Sequence, residues 1–412
     1  YRGEMLSRVS GKAVLRYPPW FQDELLAEVR RLALDPRFDP GVHTGLLALH
    51  RVRSYFVREN LVDDLLTHSE RSLELRADAR LEDMYWRDGV LMLTVRAWLA
   101  NGERPLEFHR KDGRLFLTPE IALDIPPEER ECTGQLEQVL ADATIKHRET
   151  AVEFFLPAEL RLQERVSGEL GDSSVVQAEW VGEVRIDPAS ALGGRPLFRG
   201  VWDVSIRLSG LGLTRELRLG GERNRSAERG RHPALIGDRP LLAIPYWTSP
   251  HGNLSLDIDE HTMSLRDTVI KRATAAVSPP WQLGSPSLRI SLPVTFHPAR
   301  PITGRLRLIQ RRTGTAVECP LECSPDPSAL QLTADLPARE AGLTSGIWDI
   351  AVVLPDLGWN KPVRISRVLM VPRVGPPHVR RTPESVLVRR GRALVREGRQ
   401  QVRKAAARVR SQ

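Results

Sequence analysis

The sequence predicts a mainly β protein with an N-terminal α-helical segment, two immunoglobulin-like antiparallel β-sandwiches in tandem, and a basic C-terminal helix. Three observations carry that expectation. Helical spacing of apolar residues is confined to the start of the chain and to the segment after Arg380. Between them run short alternating stretches punctuated by Gly, Pro and Asp. A strand-like phrase is also written twice, GVWDVSIRL from Gly200 to Leu208 and GIWDIAVVL from Gly346 to Leu354.

Residues 1–71 read as a helical connector. PPWFQDELLAEVRRLAL sets Phe21, Leu25, Val29 and Leu32 on one face after a Pro-Pro start. GLLALHRVRSYFVREN aligns Leu46, Leu49, Val52 and Phe56, and LVDDLLTHSERSL supplies a third, shorter helix. From 72 to 222 the strands VLMLTVRAW, GRLFLTP, ETAVEFFLP, VVQAEWVGEVRI and WDVSIRL make a first sandwich. The glycine- and arginine-rich GGERNRSAERGRHP, Gly220 to Pro233, reads as a linker or exposed loop. A second sandwich occupies 223–372, through LLAIPYW, GNLSLDI, SLRISLPVTF, GRLRLIQR, ALQLTADL and WDIAVVL. Each copy is expected to open on Tyr-Trp, a turn and Gly-x-Leu-x-Leu: Tyr85, Trp86 and Gly89 in one, Tyr246, Trp247 and Gly252 in the other. Residues 373–412 form the basic helix or tail, with Thr382-Pro383-Glu384 as its start signal.

Charge is distributed unevenly. From Val379 to Gln412 eleven Arg or Lys face two Glu, a net +9, whereas the rest of the chain is close to neutral at −1. The tail carries Arg389, Arg390, Arg392, Arg396, Arg399, Arg403, Lys404, Arg408 and Arg410 around a thin apolar stripe. Such a helix suits an anionic membrane surface, each nearby cation contributing about 1 kcal/mol. Nucleic acid is disfavoured as a partner, because the body offers neither a basic face nor a nucleic-acid-binding motif. No apolar run is long enough to span a bilayer, and no secretory signal is present. The chain opens on Tyr1 rather than Met, which points to a fragment. Cys132, Cys319 and Cys323 are few, and i, i+4 positions on a strand lie about 13 Å apart, too far for a disulfide. A reducing cytoplasm is the expected compartment.

Catalytic chemistry is not evident. The ten histidines are scattered, and no G-x-S-x-G, P-loop or dinucleotide fingerprint occurs. Asp257 and Asp259, in DIDE, are expected to face solvent together. Trp281 and Trp359, with Asn360, stand beside Pro, Gly and Asn in apparent loops and are the carbohydrate-binding candidates, the alternative being tryptophans that pack over their own sandwich. Trp202 and Trp348 read as core anchors. Asp203 and Asp349 then fall on the opposite strand face, exposed or serving a turn.

The order of elements resembles the region after the catalytic domain in bacterial family 2 glycosyltransferases, including wall-teichoic-acid glycosyltransferases with C-terminal β-domains. RYPPWFQDELLAEVRRLA (Arg16 to Ala33), RVRSYFVREN (Arg51 to Asn60), YWRDGVLMLTV, the two Gly-Φ-Trp-Asp-Φ strands, GNLSLDI and the arginine-rich helix carry the resemblance. It implies a catalytic GT-A domain using a nucleotide-sugar and a divalent metal. No DxD motif in a suitable setting occurs here, so no catalytic residue carries over and the chain itself needs no cofactor. The resemblance further implies homo-oligomerisation, binding of a polysaccharide or teichoic-acid-like acceptor, or both, at the inner membrane face. A purely structural oligomerisation module and a surface carbohydrate-binding adhesin are the other readings.

Overall fold

The computed structural model describes residues 6, 9, 11–36, 41–170, 173–236, 241–270, 272–278, 286–297, 302–325, 329–337, 342–357 and 359–381. The chain is mainly β with helices at its N-terminal end. It divides into two compact units, Tyr1–Leu265 with Val294–Ala299, and Arg266–Pro293 with Arg300–Gln412.

In the first unit the helices ahead of the sheets are Gly11–Arg16, Pro19–Ala33, Gly41–Thr44, Ala48–Arg58 and Val62–Glu74, and two single turns, Pro119–Ala122 and Pro127–Arg130, lie between strands. The stripe Leu46, Leu49, Val52, Phe56 is buried as its spacing requires. In Pro19–Ala33 the buried line is Leu26, Val29 and Ala33, rotated from the expected one. Phe21 instead stands edge-on between Tyr17 and Trp20, with ring centroids 4.9 and 5.6 Å away.

Two sheets follow. One runs Glu222–Arg223, Leu75–Arg87, Val90–Asn101, Ser173–Ile186, Glu107–Lys111, Arg114–Leu117, and Ala158–Leu170 pairs along Ser173–Ile186 as well. The other runs Thr295–His297, Ala234–Ile236, Leu241–Trp247, Leu254–Ile258, Gly200–Gly210, Leu140–His147, Glu153–Leu156. One continuous core joins helices and sheets, from Leu49 and Phe56 through Leu81 and Val95 to Trp202 and Ile206. The second unit holds one eight-stranded sheet, ordered Thr274–Val277, Ser287–Leu292, Leu330–Asp335, Ala316–Pro325, Thr303–Gln310, Gly346–Leu354, Trp359–Val371, His378–Arg381. Its first and last strands lie against each other, so the sheet curls almost to closure.

The course of the chain differs from the expected division at 222/223. Leu241–Trp247 and Leu254–Ile258 add to the Gly200–Gly210 strand of the first unit, with Trp202 opposite Leu256 and Asp203 opposite Ser255. Both Tyr-Trp hairpins therefore belong to one unit and to different sheets, and they do not mark two copies. Trp86 is buried and donates its indole N–H to the His232 carbonyl at 3.0 Å. Nor is Gly220–Pro233 a linker. Glu222–Arg223 pairs in parallel with Arg80 and Leu81, and a short 3-10 turn, Arg225–Gly230, buries Ala227. A Cβ on Gly230 would meet the Met84 carbonyl oxygen at 2.3 Å, which is why glycine stands there. At the C-terminal end, His378–Arg381 is a strand of the second unit's sheet rather than the start of a helix. The basic segment from 382 onward, with all nine of its expected membrane-binding residues, lies outside the described residues.

Candidate functional site

The duplicated phrase builds the same local device in each unit. Trp202 and Trp348 are both fully buried. Each donates its indole N–H to the carbonyl four residues earlier, Phe198 and Thr344, at 2.9 Å. Each is preceded by a glycine with positive φ, +148° at Gly200 and +146° at Gly346. The residue opposite the tryptophan, His147 or Gln310, ends a neighbouring strand. The next residue in each case is an arginine, Arg148 or Arg311. Its backbone N–H bonds the carbonyl just before the tryptophan, Val201 or Ile347, at 2.9 Å.

Because side chains alternate across a strand, the aspartate beside each tryptophan emerges on the outer face. It neither faces open solvent nor serves a turn; it gathers two arginines. Asp203 accepts from Arg148 through Nη2 at 2.6 Å and Nε at 3.2 Å, from Arg218 Nη2 at 2.9 Å and from Ser255 Oγ at 2.9 Å. Asp349 accepts from Arg311 Nε at 2.8 Å and pairs with Arg364 Nη1 at 3.2 Å. The geometries match closely. The aspartate side chains are 15% and 14% exposed, and the arginines following the paired strands are 42% exposed in both units. One carboxylate thus holds two guanidiniums, and one positive charge is left over at each place.

The first unit embellishes this device. Lys146, Asp203, Ser255 and Tyr246 stand in register across four adjacent strands, on one face. The Asp203 hydrogen bond, then its charge, raises the Arg148 pKa, and Tyr246 adds in the same direction. Burial lowers that of Arg218 and leaves its Nε without a partner. On the other face of the Leu241–Trp247 strand, against the core, Arg223 lies over the Trp247 ring at 4.4 Å and Arg231 at 5.9 Å. Arginines and an amphipathic phenol line the outer face, groups that hold an anion through charge-assisted bonds. An open cleft of about 390 Å³ lies elsewhere in this unit, lined by Leu47, His50, Gln135, Leu140 and Thr214 among others.

The other expected site residues fall differently. Trp359 is buried and begins the Trp359–Val371 strand opposite Leu354, so it packs and does not offer a face for stacking. Asn360 beside it is exposed. Trp281 lies outside the described residues. Asp257 is fully buried, not solvent-facing. Its carboxylate accepts from the backbone N–H groups of His261, Thr262 and Met263 at 2.7, 2.5 and 2.7 Å, which folds the following turn around it. Among the described residues no group of His, Cys, Asp and Glu is arranged to hold a metal ion. Cys319 and Cys323 share one strand as free thiols, and burial raises the Cys323 pKa to about 11. No helix among the described residues is long and apolar enough to cross a membrane.

The comparisons with known proteins address the connector and the first β unit. Residues 1–69 match the glycosyl transferase TarS linker domain, and residues 132–258 match the TarS β-glycosyltransferase C-terminal domain 1. Among curated proteins, none matches significantly. Solved structures that match include S. aureus TarS 217–571, at 12% identity and a TM-score of 0.30, over 82% of this chain and 94% of that one. The S. aureus TarS structure matches at 12% identity and a TM-score of 0.28, and 84% of this chain spans 60% of it. Likenesses that weak add no argument of their own. The second family match ends at Ile258, where the last strand paired to Gly200–Gly210 ends. Matched in this order, the linker and first C-terminal domain support a TarS-like glycosyltransferase C-terminal region for this chain.

Proposed function

We propose that this chain is the non-catalytic C-terminal region of a membrane-associated family 2 glycosyltransferase acting in cell-wall or capsular polymer glycosylation, and that it holds the polymeric acceptor. The observation that supports this is the arginine pair gathered by Asp203 and gathered again by Asp349. Each cluster keeps one uncompensated positive charge and half-exposed N–H groups, which suit charge-assisted bonds to an anionic, teichoic-acid-like polymer. A polymer that touches two such places gains by effective concentration, without any contact at the transferred sugar. Nucleotide-sugar and divalent metal belong, in this reading, to the catalytic domain, and the basic tail keeps the assembly at the inner membrane face.

Retention of a phosphate-bearing cell-wall polymer on immobilised protein tests it. Arg148→Gln with Arg218→Gln, and separately Arg311→Gln with Arg364→Gln, should each weaken retention about tenfold, the equivalent of roughly 1.4 kcal/mol. Adding Trp281→Ala and Asn360→Ala to the series tests the remaining sequence candidates. Unchanged retention in both arginine pairs would sink the acceptor-binding reading.

A second reading, self-association without a sugar site, draws on a different observation. Phe155 is 62% exposed on the Glu153–Leu156 edge strand and Val166 is 59% exposed on the Ala158–Leu170 edge strand. Apolar side chains on unpaired edges invite a second chain. Light scattering on the same variants separates the two: an oligomer that survives every arginine change while polymer retention is absent throughout favours the structural module.

A further inference from the structure

Within the first unit the helix pair Ala48–Arg58 and Val62–Glu74 has an unusually polar buried face. Leu65, His68, Ser69 and Ser72 are the buried residues of the second helix, and three of the four are polar. From the first helix Arg53 enters the same interior at 6% exposure. Its neighbour two residues earlier shows what a buried guanidinium ordinarily requires. Arg51 donates to the carbonyls of Thr44, Leu46, Glu129 and Glu131. Arg58, on the same helix, pairs with Glu129 at 2.6 Å.

Arg53 has neither arrangement. Among the described residues no hydrogen bond or ion pair reaches it, and its Nε is sealed from solvent without a partner. The charged group acting on it is another cation, Arg215. Arg215 is itself fixed by donating to the carbonyls of Leu75 and Ser72, the latter at 2.8 Å, which places its charge at the joint between helix and strand. His68 cannot compensate, since burial, then the Arg53 charge, keep it neutral. Ser69 Oγ is a second buried group with no partner on that face. An arginine cannot shed its proton as a lysine can, and an uncompensated buried charge costs several kcal/mol. A buried guanidinium with an unpartnered Nε, whose charged neighbour is a second cation, is half of an ion-binding arrangement.

We propose that Arg53 and Arg215 bind a small oxyanion of phosphate type at the joint between the Ala48–Arg58 and Val62–Glu74 helices and the Leu213–Arg218 strand. The anion supplies the missing acceptors and ties the connector to the first β unit, so the rigidity of that joint depends on ligand concentration. This site is separate from the Asp203 and Asp349 clusters and does not rest on the acceptor-binding reading.

Thermal unfolding of the full chain tests the proposal, in chloride and in inorganic phosphate at matched ionic strength, with isothermal titration of phosphate alongside. The wild type should show a saturable rise of several degrees with phosphate. Arg53→Met removes the charge with little change of length, so it should unfold at or above the wild-type temperature in chloride and gain nothing from phosphate. Arg53→Lys should keep part of the rise. A nucleoside diphosphate in place of inorganic phosphate distinguishes a carried phosphoryl group from a free one, and whichever arm binds must lose its effect in Arg53→Met. Acetate should give a smaller rise than phosphate. No phosphate-dependent rise in the wild type, an equal rise in Arg53→Met, or a larger rise with acetate overturns the assignment. Polymer retention should be unchanged in Arg53→Met, so failure of one reading leaves the other standing.

Discussion

His68 is fully buried, with Nδ1 2.8 Å from the Ile121 carbonyl oxygen and Nε2 3.3 Å from Ser72 Oγ. The carbonyl only accepts, so the proton sits on Nδ1 and the Ser72 hydroxyl donates to the bare Nε2. Burial first, and the charge of Arg53 second, lower the folded-state pKa to about 3. The unfolded chain titrates near 6.5, and therefore takes up this proton first on acidification. The stability contributed by neutral His68 is complete above about pH 6.5 and is lost progressively as pH falls toward 3. Denaturant unfolding at pH 7.5 and 5 should show the wild type losing about 1.4 kcal/mol per pH unit below 6.5 more than His68→Gln. His43, also lowered, titrates in both proteins and cancels in the comparison. Nothing local in THSERS separates a sealed histidine from an exposed one, because its burial is set by residues of other helices, Phe56 and Ile121 among them. Asp257 escaped for the same reason: its alternation pointed outward, and the following turn closed over it.

The element scale holds the clearest repeat. His147-Arg148-Glu149-Thr150-Ala151-Val152-Glu153 and Gln310-Arg311-Arg312-Thr313-Gly314-Thr315-Ala316-Val317-Glu318 are two versions of one strand-turn-strand passage. In both, the turn closes by a backbone bond of 2.9 Å, Ala151 to His147 or Gly314 to Gln310. The tryptophan strands were legible because one short window holds the glycine, the anchor and the alternation. Of their arginine partners, Arg148 and Arg311 stand 55 and 38 residues away, and pairing across that distance leaves no periodic trace. The Tyr-Trp turns misled because similar hairpin chemistry recurs wherever a strand reverses. The glycines distinguish the two copies. A Cβ at Gly200 would fall 2.0 Å from His147 Nε2, whose ring is wedged against Phe198 and Trp202. At Gly346 it would meet the flexible end of Gln310 at 3.0 Å. Both positions carry backbone strain of about 1–3 kcal/mol for any other residue. Gly200→Ala should therefore lower stability by roughly 3 kcal/mol or more and Gly346→Ala by roughly 1–2, read from urea midpoints. Equal losses would mean that backbone strain alone decides.

At the scale of the whole molecule, charge and architecture are segregated along the sequence. Fold class and the helical stripe of the connector followed from periodicity, which needs only neighbours in sequence. The unit boundary did not, because the strands after Gly220 return to the first unit and composition carries no record of that return. The tail concentrates a charge of +9 that the near-neutral body lacks. Flotation on liposomes should show binding that rises with anionic lipid content and falls steeply between low and physiological salt, and that is abolished by deleting residues 382–412. Binding indifferent to both variables would remove the electrostatic anchor.

The short strand Thr295–His297 pairs with Ala234–Ile236 although the residues on either side of it belong to the second unit. The chain thus leaves the first unit, comes back for one strand, and leaves again. Neither unit is a contiguous stretch of gene. Recombination that carries off the second unit from residue 266 onward strips an edge strand from the first. The pair is consequently inherited as one block, and close relatives should gain or lose both units together rather than trade them singly.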